Sequence, residues 1–119
     1  MPSQPQELIV LFDSFGTPKY VVRKGQKRSG MTAVLSPGDS VKWISKPGTE
    51  FEIEFVDQLG QPIESPLGWG ANVSSMASTG GEVSGKVPNP PAPTIGVVYK
   101  YNVWGPSGQV LDPAIIIER

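Results

Sequence analysis

Glycine and proline interrupt this sequence so often that an ordinary helix has almost nowhere to form. The two residue types account for 14 and 13 of the 119 residues, and the longest stretch without either is Thr49–Leu59, eleven residues. A glycine in a helix interior costs about 1 kcal/mol and a proline about 3 kcal/mol. Within Thr49–Leu59, Phe51, Ile53 and Phe55 alternate with glutamates. Because a period of two is typical of a half-buried strand, the sequence predicts an all-β protein.

Other short segments also have the composition of strands. They are rich in β-branched and aromatic residues and are separated by turn residues. Predicted strands lie at Leu8–Asp13, Tyr20–Arg23, Met31–Leu35, Ser40–Ser45, Val97–Trp104 and Ala114–Glu118, with a weaker one at Glu82–Val87. Closely spaced strands with turns between them are typical of a sandwich or barrel. We expect one domain over residues 1–119 with seven to eight strands, a flexible tail at 1–6, and at most one short helix, at Ala71–Thr79.

Composition excludes several classes of site. The chain has no cysteine and no histidine, which excludes zinc fingers, disulfide scaffolds, catalytic cysteines and histidine-based triads. Its net charge of −1 is too small to attract nucleic acid or an anionic membrane strongly. The basic cluster of Arg23, Lys24, Lys27 and Arg28 has no interleaved aromatic residue for base stacking, so we interpret it as a solvated loop and predict no nucleic-acid site.

The sequence gives little information on compartment. The N-terminal residues lack the cationic stretch and apolar core of a signal peptide, and no apolar run is long enough to span a membrane. We therefore expect either a cytoplasmic protein or the mature form of an exported one.

Four segments, in order, resemble the cupredoxins, the plastocyanin-like β-sandwiches that hold copper. Pro37–Trp43, with the sequence PGDSVKW, is similar to a strand motif of that family, and Phe51–Phe55 falls where the family carries its first copper-ligand strand. Gly96–Val103 resembles the strand that leads into the copper loop, and Asp112–Ile117 resembles the closing strand. The resemblance covers roughly Ala33–Glu118 and implies a single Greek-key β-sandwich.

The residues at the copper-ligand positions depart from the family. The resemblance places Phe51 at the first histidine position and Val103 at the cysteine position, and the loop at 104–108 has neither histidine nor methionine. A type-1 copper site needs two imidazoles and a thiolate. We therefore expect the fold without copper or another cofactor. Phe51 and Val103 should be buried and in contact, directly or through one neighbour, with Trp104 near them.

Two tryptophans are the candidate partner-binding residues. Trp69 and Trp104 lie beside glycines in predicted loops, where an indole can stack on a sugar or anchor a protein. The alternative is that they cap one end of the sandwich. Of the two, we expect Trp69 to be the exposed anchor.

Two functions from different classes are consistent with these residues. The first is a non-catalytic binding or interaction module with an unidentified protein or glycan partner. The second is a glycan-processing or metal-dependent enzyme that uses Glu50, Glu52 and Glu54, which share one strand face at steps of about 6.5 Å. We favour the binding module and predict no enzyme activity, because such carboxylates are usually solvated and no convergent catalytic set accompanies them.

The pairing of two central strands is also open. A hairpin between 40–46 and 50–57 would place Lys46 opposite Glu50 and Lys42 opposite Glu54. The resemblance instead places these two strands in opposite sheets, and we favour that arrangement.

Overall fold

The structure is a computed structural model and describes residues 6–14, 16–23, 32–46, 48–88, 98–106, 108, 110–111 and 113–117. Over these residues it has ten strands and no helix, which confirms the all-β prediction. The strands are β1 (Gln6–Phe12), β2 (Pro18–Arg23), β3 (Thr32–Leu35), β4 (Ser40–Lys46), β5 (Glu52–Val56), β6 (Ser75–Ala77), β7 (Glu82–Lys86), β8 (Val98–Trp104), β9 (Val110–Leu111) and β10 (Ala114–Ile117). No helix in the described part of the chain is long and apolar enough to cross a membrane.

Two sheets form the sandwich. The first sheet has the order β2-β1-β4-β7, and the second has the order β3-β10-β8-β5-β6, with β9 added beside β8. The β1–β4 and β3–β10 pairs are parallel, and the remaining pairs are antiparallel. Strands β4 and β5 belong to different sheets, so the prediction of opposite sheets is confirmed and the hairpin alternative is wrong.

The fold stays within the predicted limit of one short helix, since Ala71–Thr79 forms none. Ser75–Ala77 forms β6 instead, and Met76 pairs with Ile53 at the edge of the second sheet. The small residues of this segment gave no apolar helical face to bury, while β5 offered unpaired backbone groups along its free side. Strands β6 and β9 add two short strands to the predicted seven to eight.

The first strand begins inside the segment expected to be a tail. Gln6 pairs with Val41 of β4, and its Nε2 donates a hydrogen bond to the Val34 carbonyl oxygen at 3.1 Å. This bond joins the first sheet to β3, an edge strand of the second sheet. Residues 1–5 lie outside the described part of the chain.

Buried aromatic side chains join the two sheets. Trp43 of β4 and Tyr101 of β8 are both fully buried, with ring centroids 5.4 Å apart and the indole Nε1 donating to the Tyr101 hydroxyl at 3.1 Å. Burial raises the pKa of the Tyr101 phenol far above its ordinary value, although the hydrogen bond from Trp43 acts in the opposite direction. Phe55 packs against both rings at 5.4 and 6.5 Å. The predicted inward face of Phe51, Ile53 and Phe55 therefore forms part of one core.

Candidate functional site

One end of the sandwich holds the two residues that the sequence places at copper-ligand positions. Phe51 is 5% exposed and Val103 is fully buried. Val103 pairs with Ile53 across the β5–β8 ladder, and Phe51 precedes Ile53 by two positions on the same inward face. Both residues belong to one buried core cluster, and their burial is as predicted. The Phe12 ring lies 6.3 Å from the Phe51 ring and extends this apolar end toward β1.

Two loops close over this end by direct backbone contact. The Phe51 N–H donates to Ser78 Oγ at 2.8 Å, and the Ser78 N–H donates to the Phe51 carbonyl oxygen at 2.7 Å. A Cβ at Gly105 would lie 2.6 Å from the Gly16 carbonyl oxygen, so only glycine allows the loop after β8 to approach the β1–β2 turn this closely. Both the N–H and the carbonyl oxygen of Phe51 are therefore bonded to Ser78, while its ring is buried in the core at this end.

Trp104 lies at the end of β8 and points to the outer side of the second sheet. Its side chain is 37% exposed, and it pairs with Glu52 in the β5–β8 register. The indole Nε1 donates to Glu54 Oε1 at 3.0 Å, and Asn102 Nδ2 donates to the same oxygen at 3.3 Å. We call these four residues, Glu52, Glu54, Asn102 and Trp104, the Trp104 face. One carboxylate thus fixes the orientation of an indole on an open sheet surface.

Glu52 and Glu54 of β5 lie on this outer side, as the alternation predicts, whereas Glu50 precedes the strand and its carboxylate bonds to the Gly81 N–H beside β4. Glu50 accepts a hydrogen bond from the Gly81 N–H at 2.6 Å, and Glu54 accepts the two bonds just described. Two of the three carboxylates therefore support the chain's own structure. An open groove of about 470 Å³ lies elsewhere, beside β4 and β7 of the first sheet. This arrangement does not favour the glutamate-based enzyme.

Trp69 is half-buried, so it is less exposed than predicted, and its role as an anchor stays a prediction. Its ring centroid lies 5.5 Å from that of Phe55 and 6.5 Å from that of Trp43, and its Nε1 donates to the Ser84 carbonyl oxygen at 2.9 Å. A Cβ at Gly85 would lie 3.0 Å from this Nε1. Trp69 therefore covers the free edge of β7 and lines the groove there with one side of its indole.

Lys42 pairs with Glu82 of β7 and not with Glu54, its partner in the alternative hairpin. Lys42 Nζ lies 3.4 Å from Glu82 Oε1 on the outer side of the first sheet, and both side chains are well exposed. Of the basic cluster, the structure describes only the place of Arg23 at the end of β2, and Lys24, Lys27 and Arg28 lie outside the described residues.

Comparison with solved structures finds copper-protein folds. A purple cupredoxin from Nitrosopumilus maritimus superimposes with a TM-score of 0.55 at 14% identity, and the alignment covers 94% of this chain and 98% of that one. The chain has the cupredoxin fold. Two amicyanin variants, both in Cu(I) form, give TM-scores of 0.47 at 11% and 12% identity; they cover 94% and 98% of this chain, and 82% and 95% of their own. No protein-family model matches the sequence, and no curated protein matches it.

The residues at the copper end of this cupredoxin fold do not fit a copper ion. Phe51 and Val103 belong to one apolar core cluster with Phe12 packed against it, and the whole chain lacks the thiolate and imidazoles of a type-1 site. Among the residues that the structure describes, no group of three or more histidine, cysteine, aspartate or glutamate side chains could hold a metal ion. The scaffold is thus cupredoxin-like, without cysteine and without a described metal-binding group.

Sequence reasoning missed the partners of both tryptophans. Outward positions alternate along both β5 and β8, but neither segment alone identifies Glu54 as the acceptor that Trp104 and Asn102 share. Gly85 lies within the segment predicted to be a weak strand, and that segment alone does not indicate a role for this glycine. Its missing side chain is what admits Trp69 to the edge of β7.

Proposed function

We propose that this chain is a non-catalytic binding module that uses the cupredoxin fold as a rigid support. Its binding surface is the outer side of the second sheet, with Trp104 as the anchor. The observation that carries this proposal is an indole that is 37% exposed yet fixed by a hydrogen bond of 3.0 Å to Glu54.

Two physical properties make Trp104 suitable as an anchor. An indole offers a large apolar surface, and tryptophan is among the residues that most often dominate binding energy. Fixing the ring in the free protein lowers the entropy lost when a partner binds. Because Trp104 stands on a sheet strand next to the closed end of the sandwich, its backbone is also rigid.

Trp69 has a structural role in this proposal. Its indole N–H is already bonded to the Ser84 carbonyl oxygen, and much of its ring packs on Trp43 and Phe55. The closed end of the sandwich argues against copper-based electron transfer, since Phe51 and Val103 fill this space with carbon atoms. That the chain does not bind nucleic acid remains a prediction, made from its net charge of −1.

The test compares Trp104→Ala with Leu59→Ala. Leu59 is 86% exposed in the turn after β5, so its substitution removes an exposed apolar side chain outside the Trp104 face. Purified protein is applied to arrays of defined peptides and of defined glycans. We expect ligands that bind the unaltered protein and the Leu59 variant alike, and that lose at least tenfold in affinity for the Trp104 variant.

Two results would overturn the proposal. One is a set of ligands that bind the Trp104 variant as tightly as the unaltered protein. The other is an absence of binding on both arrays. Circular dichroism of each variant confirms that the fold is retained.

A further inference from the structure

The surface around Trp104 is acidic. Glu52 lies directly opposite Trp104 in the β5–β8 register, and Glu54 bonds to the indole N–H. Glu50 precedes β5, and its carboxylate bonds to the Gly81 N–H beside β4. Lys100 is the cation on the outward side of β8, and it lies opposite Val56, two register positions beyond Glu54. Two carboxylates, those of Glu52 and Glu54, against one ammonium leave this part of the sheet negative.

An exposed indole and nearby carboxylates favour the same kind of ligand. The face of an indole ring carries negative charge density and attracts a cation within about 6 Å of its centre. The Glu52 carboxylate adds Coulomb attraction at the same place. A neutral ligand would remove water from these carboxylates without supplying a counter-charge, and an anionic ligand would be repelled. Charge complementarity therefore selects a basic partner.

We propose that the partner of the Trp104 face is a basic polypeptide segment, with an arginine side chain stacked on Trp104 and paired with Glu52. This inference rests on the proposed binding function and specifies its partner. Glu54 holds the indole in place, so Glu52 is the carboxylate in register to receive the cation. Arginine fits better than lysine, because its planar guanidinium stacks on an aromatic ring and bonds a carboxylate through two N–H groups at once.

The experiment titrates the protein with three blocked hexapeptides in which glycine alternates with arginine, lysine or glutamine. Heteronuclear NMR follows the backbone amide signals of β5 and β8 in every variant, together with the Trp104 indole N–H signal, which is assigned by its loss in Trp104→Ala. We expect the arginine peptide to bind most tightly, the lysine peptide more weakly, and the glutamine peptide not to shift these signals. Binding should weaken as salt is raised, because the attraction is between exposed charges.

Charge-removing variants locate the attraction. Glu52→Gln should weaken binding of the arginine peptide by roughly two- to fivefold, the range of exposed ion pairs. Glu54→Gln should weaken it by a similar factor, while its amide oxygen still accepts the Trp104 N–H. The matched control is Glu82→Gln, which removes the same charge from the first sheet and should leave affinity unchanged.

The outcomes separate this inference from the proposed function. If Trp104→Ala abolishes binding to array ligands, and those ligands are neutral glycans or uncharged peptides, the basic partner is wrong and the binding module stands. If the arginine peptide binds Trp104→Ala or Glu52→Gln as tightly as the unaltered protein, the basic partner is likewise wrong. Tight, salt-sensitive binding that both variants weaken supports it.

Discussion

Replacing Phe51 with alanine should remove a large part of the stability of this sandwich. The ring is 5% exposed and packs beside Phe12, so the substitution takes almost a whole buried side chain from the core. Substitutions of this type cost about 3–5 kcal/mol, and the cost rises when the surroundings cannot collapse into the cavity. Here both backbone groups of Phe51 are bonded to Ser78, which limits collapse. We therefore expect a loss in the upper half of that range, about 4–5 kcal/mol.

The assay is urea unfolding followed by tryptophan fluorescence, for which the fully buried Trp43 is the main reporter. A loss of that size is a large fraction of the roughly 5–15 kcal/mol typical of a domain, and it should lower the thermal midpoint by very roughly 12–20 °C. The control Leu59→Ala should change stability by less than about 0.5 kcal/mol, since its side chain is exposed. Phe51→Leu should lose clearly less than the alanine variant. If Phe51→Ala lowers the free energy of unfolding by less than about 1 kcal/mol, the conclusion that this end of the sandwich is closely packed is refuted.

Further predictions concern the edge of β7 and the core. Gly85→Ala places a Cβ 2.7 Å from Leu67 Cβ and should lower the free energy of unfolding by about 1–3 kcal/mol. It should also speed solvent exchange of the Trp69 indole N–H. Unchanged exchange would contradict the conclusion that Trp69 covers the edge of β7. Tyr101→Phe should cost about 1–3 kcal/mol, because it leaves the buried Trp43 N–H without its acceptor, and a neutral result in urea unfolding would contradict that bond. Since burial raises the folded-state pKa of Tyr101, the unfolded state loses this proton first, so stability should be independent of Tyr101 below about pH 10 and fall above it. Alkaline unfolding that Tyr101→Phe does not shift would contradict this assignment.

Local pattern predicted much of the fold, and distant contacts explain where it failed. The alternation around Ile53 correctly predicted which residues of β5 face the core, because a strand's two sides differ by a fixed period of two. The Ser75–Ala77 segment has no such pattern, and its strand depends on an unpaired neighbour far away in sequence. Trp69 stands between glycines in a loop, as the sequence indicates. Its burial depends on space at Gly85, sixteen positions later, which only the fold brings beside it.

The candidate site was only partly predictable for the same reason. The sequence identified Trp104 as a possible anchor, but its exposure and orientation follow from the β5–β8 register that brings Glu54 within 3.0 Å of its indole N–H. Register is set by the pairing of whole strands, so the partner of an individual side chain is not visible in its own segment.

Titration of the purified, tag-free protein with Cu(II) tests the central claim most directly, namely that this cupredoxin fold has an apolar core at its copper end. Absorption spectra and thermal unfolding are recorded with and without the metal. We predict no intense visible charge-transfer band and no rise in the unfolding midpoint, because Phe51 and Val103 supply no ligand atom and the chain has no cysteine or histidine. An intense blue or purple band that is lost on adding a chelator would contradict the account.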